Sequence, residues 1–149
     1  MEIAIADEAA MAQFGARLAA KLRPGDVLEL IGDVGAGKTT LTRVIARALG
    51  ITETISSPTF TISNRYKFAG GTLAHYDFYR LNEAGIMADE LAETMGETGT
   101  ITIIEWGDVV SAILPRERIT IEIVSPTETS RQLRLTAHGA TKHRLGDLA

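Results

Sequence analysis

The chain contains no cysteine. Disulfides, thiolate zinc sites and iron–sulfur clusters are thereby excluded, and the composition suits a reducing compartment. No apolar run approaches the roughly 18 residues that mark a membrane-spanning helix. No basic segment followed by an apolar one opens the sequence, as a secretory signal would. The expectation is a cytoplasmic protein with no membrane association. A basic excess is missing as well, since 15 Lys and Arg stand against 19 Asp and Glu, for a net charge of −4. A protein that grips nucleic acid by itself carries a basic face, because phosphate neutralisation dominates that affinity. There is no internal repeat and no linker, so the 149 residues are expected to form one domain, with 139–149 as a flexible tail.

What is present centres on Gly32-Asp33-Val34-Gly35-Ala36-Gly37-Lys38-Thr39, which fits the phosphate-binding pattern G-x-x-x-x-G-K-[ST]. The apolar run Val27–Ile31 before it reads as a buried strand. Thr40–Leu49 after it reads as a helix stopped by Gly50. A helix start offers unpaired N–H groups and about half a positive charge. Glycines let the backbone approach a phosphate closely. Lys38 adds a mobile point charge and Thr39 a hydroxyl for Mg²⁺. No Asn-Lys-x-Asp base-recognition motif occurs, so ATP is the expected nucleotide.

Around this motif the chain reads as α/β. Met1–Ile5 alternates as a short edge strand. Asp7 is placed to cap a helix whose apolar positions are Met11, Phe14, Leu18 and Leu22. Thr59–Phe68 and Thr72–Phe78 read as two strands joined by Ala69-Gly70-Gly71, a connection short enough to require an antiparallel hairpin. Glu83–Met95 reads as a helix, Thr100–Glu105 as a buried strand and Asp108–Leu114 as a short helix. Arg118–Val124 and Arg131–His138 alternate as a second hairpin. The stretch from Glu83 to Asp108 holds seven acidic residues and no Lys or Arg, which reads as a solvated face or as a docking surface for a basic partner.

A phosphate loop needs a carboxylate near Mg²⁺, at the end of a neighbouring apolar strand. Asp77 and Glu105 both stand at such ends, on the side where α/β sheets bind ligands. One is expected to hold the metal, directly or through water, and the other to orient the attacking water or sense the γ-phosphate. Thr59 has the position of a switch residue turning toward the metal and γ-phosphate. Trp106 follows Glu105 and packs beside the nucleotide, faces a partner or fills the core. His75 reads as a satisfied sheet histidine. Arg80 and Arg131 are the internal candidates for a phosphate-facing arginine. Two other classes fit the same motif. A small-molecule kinase would want an arginine-rich lid where the chain is acidic; a non-catalytic nucleotide-gated module would keep Lys38 and Thr39 without needing Asp77 or Glu105.

The motifs G-D-V-G-A-G-K-T-T, S-P-T-F-T, H-Y-D-F-Y-R-L and I-I-E-W, in that order over roughly Asp7 to Leu135, resemble the TsaE (YjeE) family. That family is the bacterial P-loop ATPase of tRNA threonylcarbamoyladenosine synthesis. The resemblance implies a P-loop NTPase-like, three-layer α/β fold with a mixed central sheet. It implies slow intrinsic ATP hydrolysis coupled to the TsaB–TsaD complex, with tRNA met only through that complex. By position, Val34, Gly35, Ala36, Gly37, Lys38 and Thr39 match the phosphate cradle. Thr39 and Glu105 match the Mg²⁺ ligands, and Asp77 the carboxylate needed for hydrolysis. Glu8 matches a position near the base, Arg131 a nucleotide-contacting arginine, and Trp106, with Asp108 after it, the family's nucleotide- or partner-facing segment. Phe78 stands where leucine is frequent and Gly107 where proline is frequent.

Overall fold

The computed structural model describes residues 1–58 and 62–148. Seven strands form one sheet: β1 (Glu2–Ile5), β2 (Val27–Ile31), β3 (Ser63–Phe68), β4 (Gly71–Asp77), β5 (Thr100–Glu105), β6 (Ile119–Val124) and β7 (Arg131–Ala137), in the order β1-β7-β6-β2-β5-β4-β3. The four inner strands β6, β2, β5 and β4 are mutually parallel, and β3 and β7 run antiparallel to their neighbours. The patterning explains the placement. All six residues of β5 are buried, as a strand covered on both faces must be, whereas β6 and β7 alternate between buried and more open positions.

Helices cover both faces. Helices α1 (Glu8–Lys21) and α2 (Lys38–Ala48) pack on one side, where Phe14, Leu18, Leu41 and Ile45 meet Leu28, Leu30, Leu73, Ile101 and Ile103. Helix α3 (Ile86–Met95) and a 3₁₀ helix (Gly107–Ile113) lie on the other, where Leu91, Val110 and Leu114 meet Ala74, Tyr76 and Ile104. The Asp7 carboxylate caps α1 by accepting from Ala10 N at 2.8 Å. Among the described residues, no helix is long and apolar enough to cross a membrane.

Register sets the site. Across one row of the sheet, Leu30 of β2 pairs with Glu105 of β5, which pairs with Asp77 of β4. The loop after β2 therefore leaves the sheet at the edge where both carboxylates end their strands. In β4, Leu73, His75 and Asp77 share the face on which α2 packs, because side chains alternate along a strand.

Several expectations need correction. The helix expected from Glu83 starts at Ile86, because Gly85 (φ 53, ψ −138) has a backbone that no helix accommodates. The helix expected over Asp108–Leu114 is 3₁₀ and spans Gly107–Ile113. Residues 139–149, expected as a flexible tail, carry a short helix, α4 (Ala140–Arg144). Its Arg144 grips Asp26 at 2.7 Å through two nitrogens and donates to Lys21 O at 2.6 Å. Leu145 and Leu148 are buried in the main core. Two spaced leucines are too short a pattern to be read as a core contact without the surface they fill.

Candidate functional site

The loop from Gly32 to Gly37 connects β2 to α2. Gly37 is the N-cap residue, with φ 111 and ψ 18, a conformation that a side chain resists. No side chain caps α2. The first N–H groups of an eleven-residue helix are thus left for an outside acceptor, with the helix's positive end behind them. Val34 projects from the loop with 71% of its surface exposed, while Ala36 is buried.

Lys38 is the first residue of α2, and its ammonium folds back over the loop. It donates to Gly32 O at 2.5 Å and Asp33 O at 2.9 Å, and it sits 4.4 Å from the ring centre of Trp106. Burial pushes this ammonium below its ordinary value, with Glu105, Asp77 and Asp33 pulling the other way. Trp106 is the one non-glycine residue among those described with positive φ, at 57. That turn swings the indole away from the course of β5 and over the lysine. Tyr79 packs against it, with ring centres 4.9 Å apart.

Beside the lysine lies a chain of oxygens. Thr39 Oγ1 is 3.1 Å from Ser57 Oγ and 3.4 Å from Glu105 Oε1. Ser57 Oγ donates to Asp77 Oδ2 at 3.4 Å, and the other oxygen of Asp77 accepts from Tyr79 N at 3.0 Å. Glu105 Oε1 is also 3.1 Å from His75 Nε2. Lys38, Thr39, Ser57, Asp77, Glu105 and Trp106 line a cleft of about 600 Å³ together with Gly35, Gly37 and Arg80, and His75 lies buried behind Glu105.

The residues fit a magnesium–polyphosphate. The uncapped helix start and Lys38 offer donors and positive charge to phosphate, and two hydroxyls and two carboxylates offer hard oxygen. Among the described residues no three or more His, Asp or Glu gather into an all-protein metal cage. Magnesium does not need one, because it is held by one or two carboxylates with phosphates and waters.

A family model described as threonylcarbamoyl adenosine biosynthesis protein TsaE matches residues 5–133. The chain belongs to the TsaE family. Among curated proteins it is similar to the tRNA threonylcarbamoyladenosine biosynthesis protein TsaE of Bacillus subtilis (strain 168), 40% identical over 123 residues that span 81% of this chain and 75% of the relative. It is also 35% identical to the protein of that name from Nostoc sp. (strain PCC 7120), over 94% of this chain and 88% of the relative. The crystal structure of Bacillus subtilis YdiB superposes with a TM-score of 0.82 at 31% identity, covering 99% of this chain and 93% of that one.

In this TsaE-family chain the sequence-derived candidates do not all meet in one place. Lys38, Thr39, Asp77, Glu105 and Trp106 converge on the cleft, with Val34, Gly35 and Gly37 along its wall. Asp108 lines a second cleft on the other side of the loop, with Ala36, Trp106 and Arg131. The Arg131 guanidinium, expected to face phosphate, is occupied by backbone carbonyls, one of them Ala36 O at 2.7 Å. Glu8 is exposed on the first turn of α1 and lines neither of these clefts. The pairing of Ile5 with Arg131 puts that turn at the same end of the sheet. Thr59, the expected switch residue, lies outside the described residues. Sequence reasoning gave Ser57 no role beyond its place in S-P-T-F-T and read His75 as a satisfied sheet histidine, whereas the structure sets both beside the carboxylates. His75 had one available signal, its place two residues before Asp77 in the same strand and hence on the same face.

Proposed function

We propose that this protein binds ATP with Mg²⁺ in the cleft as a P-loop NTPase, hydrolyses it slowly, and serves tRNA threonylcarbamoyladenosine biosynthesis by coupling that turnover to the TsaB–TsaD complex. The observation that carries the chemistry is the meeting of an uncapped helix start and Lys38 with the Glu105–Thr39–Ser57–Asp77 oxygen chain. Family membership carries the pathway. Backbone N–H groups from Val34 to Thr39 bind the phosphates, and Lys38 exchanges the carbonyls of Gly32 and Asp33 for phosphate oxygens. Thr39 and Glu105 would hold the metal, which would supply neutralisation of charge on the phosphate oxygens. Asp77, fixed by Tyr79 N and Ser57, orients the attacking water.

Slow turnover has a physical reason in this reading. A well-placed arginine contributes about 10³–10⁵ in rate; Arg131 is bonded to the carbonyls of Ala36 and Ser130, and Arg80, on the cleft wall, is in this reading the internal arginine that docking would reorder. The exposed Val34 and Tyr79 at the cleft rim suit a partner that completes the site on docking. The test uses the single tryptophan of the chain. Because Trp106 covers Lys38, its fluorescence reports nucleotide binding, and phosphate release reports turnover with and without purified TsaB–TsaD. Lys38→Ala is expected to abolish the fluorescence response. Asp77→Ala is expected to retain it and lose about 10²–10⁴ in turnover. Undiminished hydrolysis by Asp77→Ala, or a rate indifferent to TsaB–TsaD, would refute the assignment.

A further inference from the structure

Two buried side-chain atoms among the described residues have no hydrogen-bond partner, His75 Nδ1 and Thr102 Oγ1. Thr102 lies in the row of Ala74 and Val27, on the sheet face away from the cleft. His75 lies on the cleft's own face, one pleat below Asp77. Buried polar groups are nearly always paired, so a histidine serving only to fill the sheet would bond through both nitrogens. Here the ring makes one bond, and that bond goes to the site. His75 Nε2 is 3.1 Å from Glu105 Oε1, the same oxygen that accepts from Thr39 Oγ1 at 3.4 Å. The His75 and Glu105 side chains are 0% and 3% exposed, so their contact is shielded from bulk solvent.

We propose that His75 is a positioning residue for Glu105. Its Nε2–H donates to Oε1 and holds the carboxylate in the orientation that meets Thr39, set in advance for the divalent cation. The matching tautomer carries its proton on Nε2, which leaves at Nδ1 a bare lone pair instead of a stranded donor. His75 touches the oxygen chain at Glu105 alone, while Asp77 at its far end is held by Tyr79 N and Ser57. An outer partner of this kind orients its ligand, and losing it typically lowers metal affinity about 10–100-fold.

The proposal rests on the magnesium–nucleotide reading of the cleft, and calorimetry separates the two. Binding of the non-hydrolysable analogue adenylyl imidodiphosphate is measured with and without Mg²⁺ for the unaltered protein, His75→Gln and His75→Leu. Without Mg²⁺ all three are expected to bind within about twofold of one another. With Mg²⁺ the unaltered protein tightens, His75→Gln keeps most of that gain through its amide N–H, and His75→Leu loses about tenfold or more of it. An equal Mg²⁺ gain in His75→Leu overturns the positioning role and leaves the site reading standing. No Mg²⁺ gain in the unaltered protein overturns both. A second measurement covers the case in which His75→Leu does not fold. The ¹⁵N spectrum of the unaltered protein should show His75 protonated at Nε2, and a proton found only on Nδ1 overturns the proposal.

Discussion

Arg131 offers a test of whether the loop from Gly32 to Gly37, in the nucleotide-binding reading proposed above, is braced from outside. Its Nε donates to Ala36 O at 2.7 Å, and its Nη1 reaches Thr127 O, Glu128 O and Ser130 O at 3.3, 3.1 and 2.8 Å. Three of those carbonyls belong to the β6–β7 turn, where Thr127 and Glu128 are exposed and can turn to water. Ala36 is buried, so its carbonyl is harder for water to reach than those of the turn. The cost of Arg131→Ala is therefore concentrated in one charge-assisted bond of about 1.5–3 kcal/mol. If that bond keeps the loop in its binding shape, nucleotide affinity falls about 10–100-fold, since 1.4 kcal/mol is tenfold. The loss should be equal for ADP and a non-hydrolysable triphosphate, because the bond lies in the loop and not at the γ-phosphate. Arg131→Lys should recover only part of it, having no fork to span Ala36 and the turn. Titration calorimetry with both nucleotides measures this. A loss confined to the triphosphate would mean that the guanidinium reaches the γ-phosphate, and unchanged affinity for both would mean that the brace is idle.

Two further outcomes follow from ion pairs outside the cleft. Arg65 bonds both oxygens of Glu97 at 2.9 Å, and Thr100 Oγ1 adds a third bond at 2.8 Å, holding that carboxyl at about 2, well below its usual 4.5. A depressed carboxyl stabilises the fold above its unfolded value and loses that contribution as pH falls from about 4.5 to about 2; urea midpoints of the unaltered protein and Glu97→Gln should converge across that window, and parallel curves would contradict it. Arg144→Ala removes the two-pronged grip on Asp26 and the bond to Lys21 O, for a loss of about 1.5–3 kcal/mol and a drop in melting temperature of about 3–12 °C by calorimetry; an unchanged melting temperature would show that α4 adds nothing to the fold.

The local elements were largely legible because each has a local cause. Val27–Ile31 and Thr100–Glu105 are apolar enough to be buried strands wherever they fall, and Asp7 caps α1 by a bond three residues long. The glycine-rich loop between a strand and a helix matches a phosphate-binding pattern within eight residues, and the order of four motifs was enough to point to the TsaE family. The start of α3 was misplaced because one glycine's backbone angle outweighed the helical pattern on either side of it. The docked C-terminus was missed because two leucines acquire meaning only against a core assembled from distant strands.

What the tertiary structure alone decided is which candidates meet. Asp77 and Glu105 lie 28 positions apart in the chain, yet parallel register puts them side by side and beside the loop after β2. Long-range pairing likewise sets the neighbours of Arg131 and His75. Arg131 looked like a free cation until its neighbours, Ala36 and the β6–β7 turn, were in place. His75 looked like filling until the pairing of β4 with β5 set it beneath Glu105, with one nitrogen bonded to the site and the other to nothing. Residue type and spacing specify what a side chain can do; long-range pairing specifies which other side chain is there to do it with.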